Sequence, residues 1–217
     1  MAGGSIGDME IAENAALLVI DVQKAFEDLD FWGPRNNPAA DSHIAALIDA
    51  WQATARPVVW TRHDSVQPGS PLRKGDEGND FKGYVEERRG KGAAAELLVT
   101  KTVNSAFYGS PDLDAWLRAS GVGQLVVTGI QTNMCAETTA RMGGNLGYDV
   151  LFVLDATHTF DLEGPFGWRL PAEELARATA VSLHGGGFAQ VVRTAEVLDA
   201  VGVSAGPEGA GLEGAGR

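Results

Sequence analysis

Short apolar runs rich in β-branched residues alternate along the chain with segments whose apolar positions recur every three or four residues. AALLVIDV (Ala15 to Val22) is apolar almost throughout, which fits a strand buried on both faces rather than one with a wet side. In DSHIAALIDAWQATA, Ile44, Leu47, Ile48 and Trp51 fall at i, i+3, i+4 and i+7. This is one face of a helix, which Asp41 or Ser42 is placed to cap. ARPVVWTRH (Ala55 to His63) reads as a second strand introduced by Pro57. From Asp64 to Gly92, Gly, Pro and charged residues occur without a period. This stretch is expected to run over the surface, as a loop of the length often used as a lid.

Alternation then resumes. ELLVTK reads as a strand, PDLDAWLRASG as a helix with Pro111 in its first turn, and QLVVTGI as a strand. A helix from about Cys135 to Leu146, a strand Asp149 to Ala156, a helix Pro171 to His184, the short strand FAQVV and the helix TAEVLDAVG complete the pattern. The succession predicts an α/β fold of three layers, α/β/α, with a mainly parallel, Rossmann-like central sheet. A length of 217 residues fits one domain, taken as residues 1–204. The Gly-rich composition of residues 205–217 predicts a flexible tail without a function of its own.

Charge narrows the range of partners. With Asp and Glu at 29 against Lys and Arg at 17, the formal net charge is -12. That opposes nucleic acid, whose affinity for proteins comes mainly from cations neutralising phosphates. No apolar run approaches the roughly 18 to 20 residues that span a bilayer, and MAGGSIGDMEIAEN lacks the basic and apolar parts of a secretory signal. No membrane partner and a cytoplasmic location are therefore expected. The single cysteine makes neither an internal disulfide nor a thiolate cluster, and a lone thiol suits a reducing compartment.

That cysteine lies in TGIQTNMCAETTARM, where a strand hands over to a helix. In parallel sheets ligands bind beyond the carboxyl ends of the strands. Asp21 ends the first strand, Lys101 ends ELLVTK, and Cys135 follows QLVVTGI, so the three are expected at one edge. Taken singly, the Asp is an ordinary turn residue, the Lys a solvated side chain and the Cys a small hydrophobe. Together they suggest covalent catalysis. A helix N-terminus and the Lys101 ammonium would lower the pKa of the thiol, and Asp21 would act as general base and then general acid. Backbone N–H groups in the turn QTNM would hold the oxyanion.

The segments ALLVIDVQKAF, RPVVWTRHDS, VTKTVNSAFYGSPDLDAWLR, VVTGIQTNMCAETTARMGGNLGYDV and VLDATHTFD, in this order, resemble the isochorismatase-like cysteine hydrolases. That family includes nicotinamidases, N-carbamoylsarcosine amidases, ureidoacrylate amidases and isochorismatases. The resemblance implies the fold named above, a triad of Asp21, Lys101 and Cys135, and a non-proline cis peptide between Ile130 and Gln131. It also implies an oxyanion hole from the backbone N–H groups of Gln131 and Cys135 and a homodimer or homotetramer; no cofactor is expected. The implied reaction is cleavage of a non-peptide C–N bond in a small amide or ureido compound through a thioester. Two alternatives stand beside it: a vinyl-ether hydrolase on the same scaffold, for which Cys135 is dispensable, and a non-catalytic binding protein.

Nicotinamidases of this family place a metal-binding Asp-x-His with a further His after the second strand. Here His63 and Asp64 are neighbours; in a strand they point to opposite sides, so no metal is expected and His63 is read as a strand-end residue shaping the loop. Phe26, Trp60, Asn104, Phe107 and Phe160 are candidates for the substrate pocket, because aromatic faces near strand ends suit a planar group. Phe31, Trp32 and Arg35 lie in a Gly/Pro loop that would cover the pocket or touch a neighbouring subunit, with Arg35 a candidate partner for a substrate carboxylate. Ser105, like Asn104, is suited to hydrogen bonding in the pocket or to a turn. Thr132 and Asn133 are assigned to the turn, and His158 and His184 to structure.

Overall fold

The computed structural model describes residues 9–203; the tail expected at residues 205–217 lies outside the described residues. In chain order the strands are β1 (Ala16–Ile20), β2 (Val58–His63), β3 (Glu96–Lys101), β4 (Gln124–Ile130), β5 (Asp149–His158), β6 (Leu162–Glu163), β7 (Arg169–Leu170) and β8 (Gln190–Val192). Two one-turn helices, α1 (Leu29–Trp32) and α3 (Gly83–Glu86), join the longer α2 (Ala40–Ala53), α4 (Leu113–Ala119), α5 (Glu137–Asn145), α6 (Ala172–Gly185) and α7 (Thr194–Ala200). The main sheet runs β3-β2-β1-β4-β5-β8, with every neighbouring pair parallel. The expected α/β/α architecture is present.

Both faces of the sheet are covered, which is why its central strands carry no alternation. Leu17 and Val19 of β1 pack with Ile44, Leu47 and Trp51 of α2 and Val197 of α7. Leu18 and Ile20 pack on the other side with Leu113 and Leu117 of α4, Ala140 of α5 and Leu183 of α6. The indole of Trp51 also donates to the Ala15 carbonyl at 2.9 Å, tying α2 to the entry of β1.

The chain builds outward from β1 through β2 to β3, then returns to place β4 on the other side of β1. The carboxyl ends of β1 and β4 thus flank the point where strand order reverses, the usual place for a crevice. Gly129 lets the two strands come together there. Its φ is +118° and a Cβ would overlap the backbone of Ile20, so only glycine fits.

Several local expectations are corrected. The stretch 64–92 does not stay on the surface: Phe81, Lys82 and Val85 are buried within it, and it contains α3. Helix α2 begins after Ala39 with no side-chain cap. Asp41 instead accepts from Arg35, Lys82 and Tyr84, while the Ser42 hydroxyl donates to the Ala39 carbonyl at 2.7 Å. Pro111 precedes α4, whose cap is Asp112, accepting from the Ala115 N–H at 3.0 Å. Strand β5 runs on to His158, and the antiparallel pair β6 and β7 follows it. Cys135 lies not in a regular α-helix but in a wider π-helical turn, Thr132–Ala136, that leads into α5. No helix among the described residues is long and apolar enough to cross a membrane.

Candidate active site

Asp21 is the first residue past β1 and is fully buried. Its φ is +48°, a left-handed conformation that Asp tolerates better than most residues. The neighbouring strand holds it: the Asp21 N–H donates to the Thr61 carbonyl at 3.2 Å and to Thr61 Oγ1 at 3.1 Å. The Thr61 hydroxyl donates to Asp21 Oδ1 at 2.7 Å. The other carboxylate oxygen, Oδ2, accepts from Lys101 Nζ at 2.5 Å, in an ion pair with no side-chain exposure on either partner.

Lys101 ends β3, two strands away, and spans the end of β2 to reach Asp21. Its ammonium also donates to the Val103 carbonyl at 3.2 Å and lies 3.3 Å from His63 Nδ1. A protonated lysine beside Nδ1 makes that nitrogen the acceptor, which leaves the imidazole proton on Nε2. Burial disfavours the ammonium, but the charge of Asp21 outweighs it, so the Lys101 pKa is raised above the ordinary value. His63 moves the other way: burial, then the Lys101 ammonium, hold it below the usual histidine range. The imidazole is therefore neutral at pH 7.

Cys135 completes the cluster. Donor atoms of Asp21, His63 and Cys135 all lie within 4.8 Å of one another, and the thiol points toward Asn104 Oδ1 at 3.9 Å. Burial raises the thiol pKa well above its free value, and Asp21 adds to this; the Lys101 ammonium opposes both without cancelling them. The expectation that the ammonium and the helix start would lower the thiol pKa is thus corrected. Desolvation beside a carboxylate prevails, and the thiol is neutral at rest.

The Ile130–Gln131 peptide is cis. The Gln131 carbonyl accepts from the N–H groups of Met134 and Ala136, which pins the turn carrying the cysteine. Thr132 donates to Thr157 Oγ1 at 2.9 Å, and the Thr159 hydroxyl donates to Asn133 Oδ1, so both turn residues are fastened to the end of β5.

A cavity of about 300 Å³ opens over Asp21 and Cys135. Phe26 and Asn104 line it, together with Trp32, His63, Gln131 and Met134. Ser65, Gln67, Ser70 and Leu72 supply another part of the lining, so one end of the 64–92 stretch forms part of the site. Phe160 stands one layer back, stacked on Trp32 at 5.4 Å and on Phe26 at 6.2 Å between ring centroids.

Several placements differ from expectation, that of Phe160 outside the lining among them. Trp60 is buried in the core, donating to Glu96 Oε2 at 2.8 Å, and Phe107 stacks on Tyr148 at 6.0 Å; neither lines the cavity. Arg35 turns away to Asp41 and His158, so it does not present its charge to a substrate. Ser105 caps a short turn by accepting from the Phe107 N–H at 3.3 Å. His63, read as a loop-shaping residue, is part of the site. The signal was topological: β2 lies beside β1, so its end faces the same edge. A larger hollow of about 710 Å³ lies near Asp155, Arg177, Arg193 and Glu196 and includes none of Asp21, Lys101 or Cys135.

Asp21, His63 and Cys135 are grouped as metal donors would be, but they do not suit an added divalent ion. The Lys101 ammonium already lies against Asp21 Oδ2 and His63 Nδ1, and a metal would have to displace a buried cation. Asp64 is engaged by Arg62 at 2.9 Å and Asn79 at 3.1 Å, so the residues after β2 offer no alternative set.

The isochorismatase domain matches residues 15–168, well over half of the chain. The chain belongs to the isochorismatase family. A solved structure of an isochorismatase-family hydrolase from Chromobacterium violaceum is 38% identical, with a TM-score of 0.82 over 91% of this chain and 99% of that one. The isochorismatase family protein YrdC of Bacillus subtilis is 34% identical across 86% of this chain and 96% of its own length. Nicotinamidase 3 of Arabidopsis thaliana is 32% identical across 82% of this chain and 84% of its own.

Proposed function

We propose that this isochorismatase-family hydrolase is a cysteine amidohydrolase that cleaves a non-peptide C–N bond of a small amide or ureido compound without a metal. The observation that carries this reading is the convergence of a buried Asp21–Lys101 ion pair and the Cys135 thiol at the floor of one cavity. The similarity to a nicotinamidase supports the same class of bond.

As Cys135 Sγ attacks the substrate carbonyl carbon, its proton passes to Asp21. This suits a thiol that is neutral at rest, because the base acts as the C–S bond forms. Lys101 keeps the Asp21 carboxylate charged and in place. The backbone N–H groups of Gln131 and Cys135 receive the oxyanion in a water-poor site where such donors act strongly. Asp21 returns the proton to the leaving nitrogen, the C–N bond breaks, and ammonia or an amine departs from the thioester. A water then attacks the acyl carbon and gives a proton to Asp21, which passes it back to sulfur as the C–S bond breaks.

The test is Cys135→Ala, assayed for ammonia release and examined by mass spectrometry after mixing with small primary amides. The wild-type chain is expected to carry an acyl adduct on Cys135, and the variant to fold, carry none and lose turnover by a factor on the order of 10⁴ or more. Full ammonia release by the variant sinks the nucleophile assignment. Loss of wild-type activity with a chelator and its return with added metal would sink the metal-free reading.

A further inference from the structure

The charge of the cavity wall narrows the substrate. Among the described residues, Asp21 is the one charged side chain in the lining, and its counter-ion Lys101 is already bonded to it. The basic groups nearest in the chain are committed elsewhere or stand outside. Arg35 donates to Asp41 and to the Pro38 carbonyl, Arg62 pairs with Asp64, and Arg73, although it follows Leu72, is exposed and absent from the lining. The cavity therefore offers no free cation to a substrate anion, and the chain as a whole carries a net charge of -12, which repels one.

What the wall does offer is aromatic and neutral. Phe26 and Trp32 pack with ring centroids 5.0 Å apart and are backed by Phe160. Trp32 is held in place by its indole N–H, which donates to the Ala25 carbonyl at 2.8 Å. Leu72 and Met134 add apolar surface. The other polar groups of the wall are uncharged, among them the Nε2–H of His63, the Asn104 amide and, toward the rim, the Gln67 amide. At about 300 Å³ the space is at the small end for ligand pockets.

From this pairing of an aromatic, apolar wall with neutral donors and no free cation, we infer that the substrate is an uncharged amide with a planar, apolar body. Amides carrying a carboxylate are rejected, because the carboxylate would be desolvated with no cation or charge-assisted donor to receive it. The inference rests on the amidohydrolase reading and narrows it.

A matched pair tests it: benzamide against 3-carbamoylbenzoate, the same ring and amide with and without the negative charge. Ammonia release by the wild-type chain and calorimetric binding to Cys135→Ala are measured for both. Benzamide is expected to lead in kcat/KM and in affinity by on the order of 100-fold, since an unpaired buried charge costs more than an unpaired neutral group. Gln67→Arg, which adds a cation to the rim, is expected to narrow the gap roughly tenfold. Equal or better use of the carboxylate by the wild-type chain overturns the inference and leaves the amidohydrolase reading intact. Preferential binding of benzamide to Cys135→Ala with no ammonia from either compound keeps the charge selection and defeats the amidohydrolase reading. Binding of neither overturns the inference.

Discussion

Two buried polar clusters lie at the same end of the sheet and share most of their ingredients. One joins Asp21, Lys101 and His63 beneath the cavity. The other joins Asp41 to Lys82 at 2.9 Å, to Arg35 at 3.1 Å and to the Tyr84 hydroxyl at 3.0 Å, with His158 Nε2 3.2 Å from Arg35. Each contains a carboxylate, a buried lysine and a histidine of lowered basicity. They differ in what lies above them. The first meets a thiol and a cavity; the second has no thiol beside it, and Phe160 packs edge-on against its His158 at 5.4 Å. The second ties the 64–92 stretch, through Lys82 and Tyr84, to α2 and the end of β5. Ionic groups thus acquire chemistry from a cavity and a nucleophile; without these the same groups act as a fastening.

The contrast can be broken most directly through turnover. Asp21→Asn is expected to lower kcat on the order of 10³-fold, within the range of general acid–base catalysis, while Lys82→Met leaves it near the wild-type value in an ammonia-release assay. Comparable losses in both variants would mean that the second cluster is not merely a fastening. Stability should separate the clusters next. Lys101→Met leaves Asp21 without its one cation and is expected to cost about 3–5 kcal/mol in denaturant unfolding. Lys82→Met leaves Asp41 with Arg35 and Tyr84 and should cost about 1–2 kcal/mol; a larger cost for Lys82 would reverse the ranking.

A comparable effect on stability is expected with acid. Burial, then the charge of Arg35, depress His158 from 6.5 to about 3. The unfolded chain takes up this proton near pH 6.5 and the folded chain does not, so stability falls as pH drops from 6.5 toward 3, by up to about 1.4 kcal/mol per pH unit. His158→Gln should flatten that slope in unfolding titrations run at pH 7 and pH 4; an unchanged slope assigns the acid sensitivity elsewhere. The subtlest test is the thiol itself. Because Asp21 disfavours the thiolate, Asp21→Asn should shift alkylation of Cys135 by iodoacetamide to lower pH even as turnover is lost. A shift to higher pH would contradict this account of the cluster's charges.

The sheet was legible in the sequence because its central strands are apolar on both faces, and that same pattern located Asp21 and Lys101 at strand ends. Other features depended on neighbours distant in the chain. His63 was judged by its alternation with Asp64, whereas the position of β2 beside β1 decides where it points. Trp60 and Phe107 lie near strand ends but meet partners inside the core, Glu96 and Tyr148. Arg35 looked free until Asp41, six residues on, turned from capping α2 to pairing with it. The acidity of Cys135 was misjudged because sequence displays neighbouring charges but not burial, and burial is the larger influence.

The contact at Gly129 separates two kinds of change open to this scaffold. The Asp21 carboxylate and the Cys135 thiol follow two strands whose main chains touch, so their spacing is fixed by backbone. The wall that meets the substrate comes largely from side chains of the segments after β1 and β2, which do not set that spacing. Altering Gln67, Ser70 or Leu72 changes what enters; altering Gly129 changes whether the two reacting groups meet at all. Choice of substrate and capacity for reaction are thus held by different parts of the chain and can diverge independently.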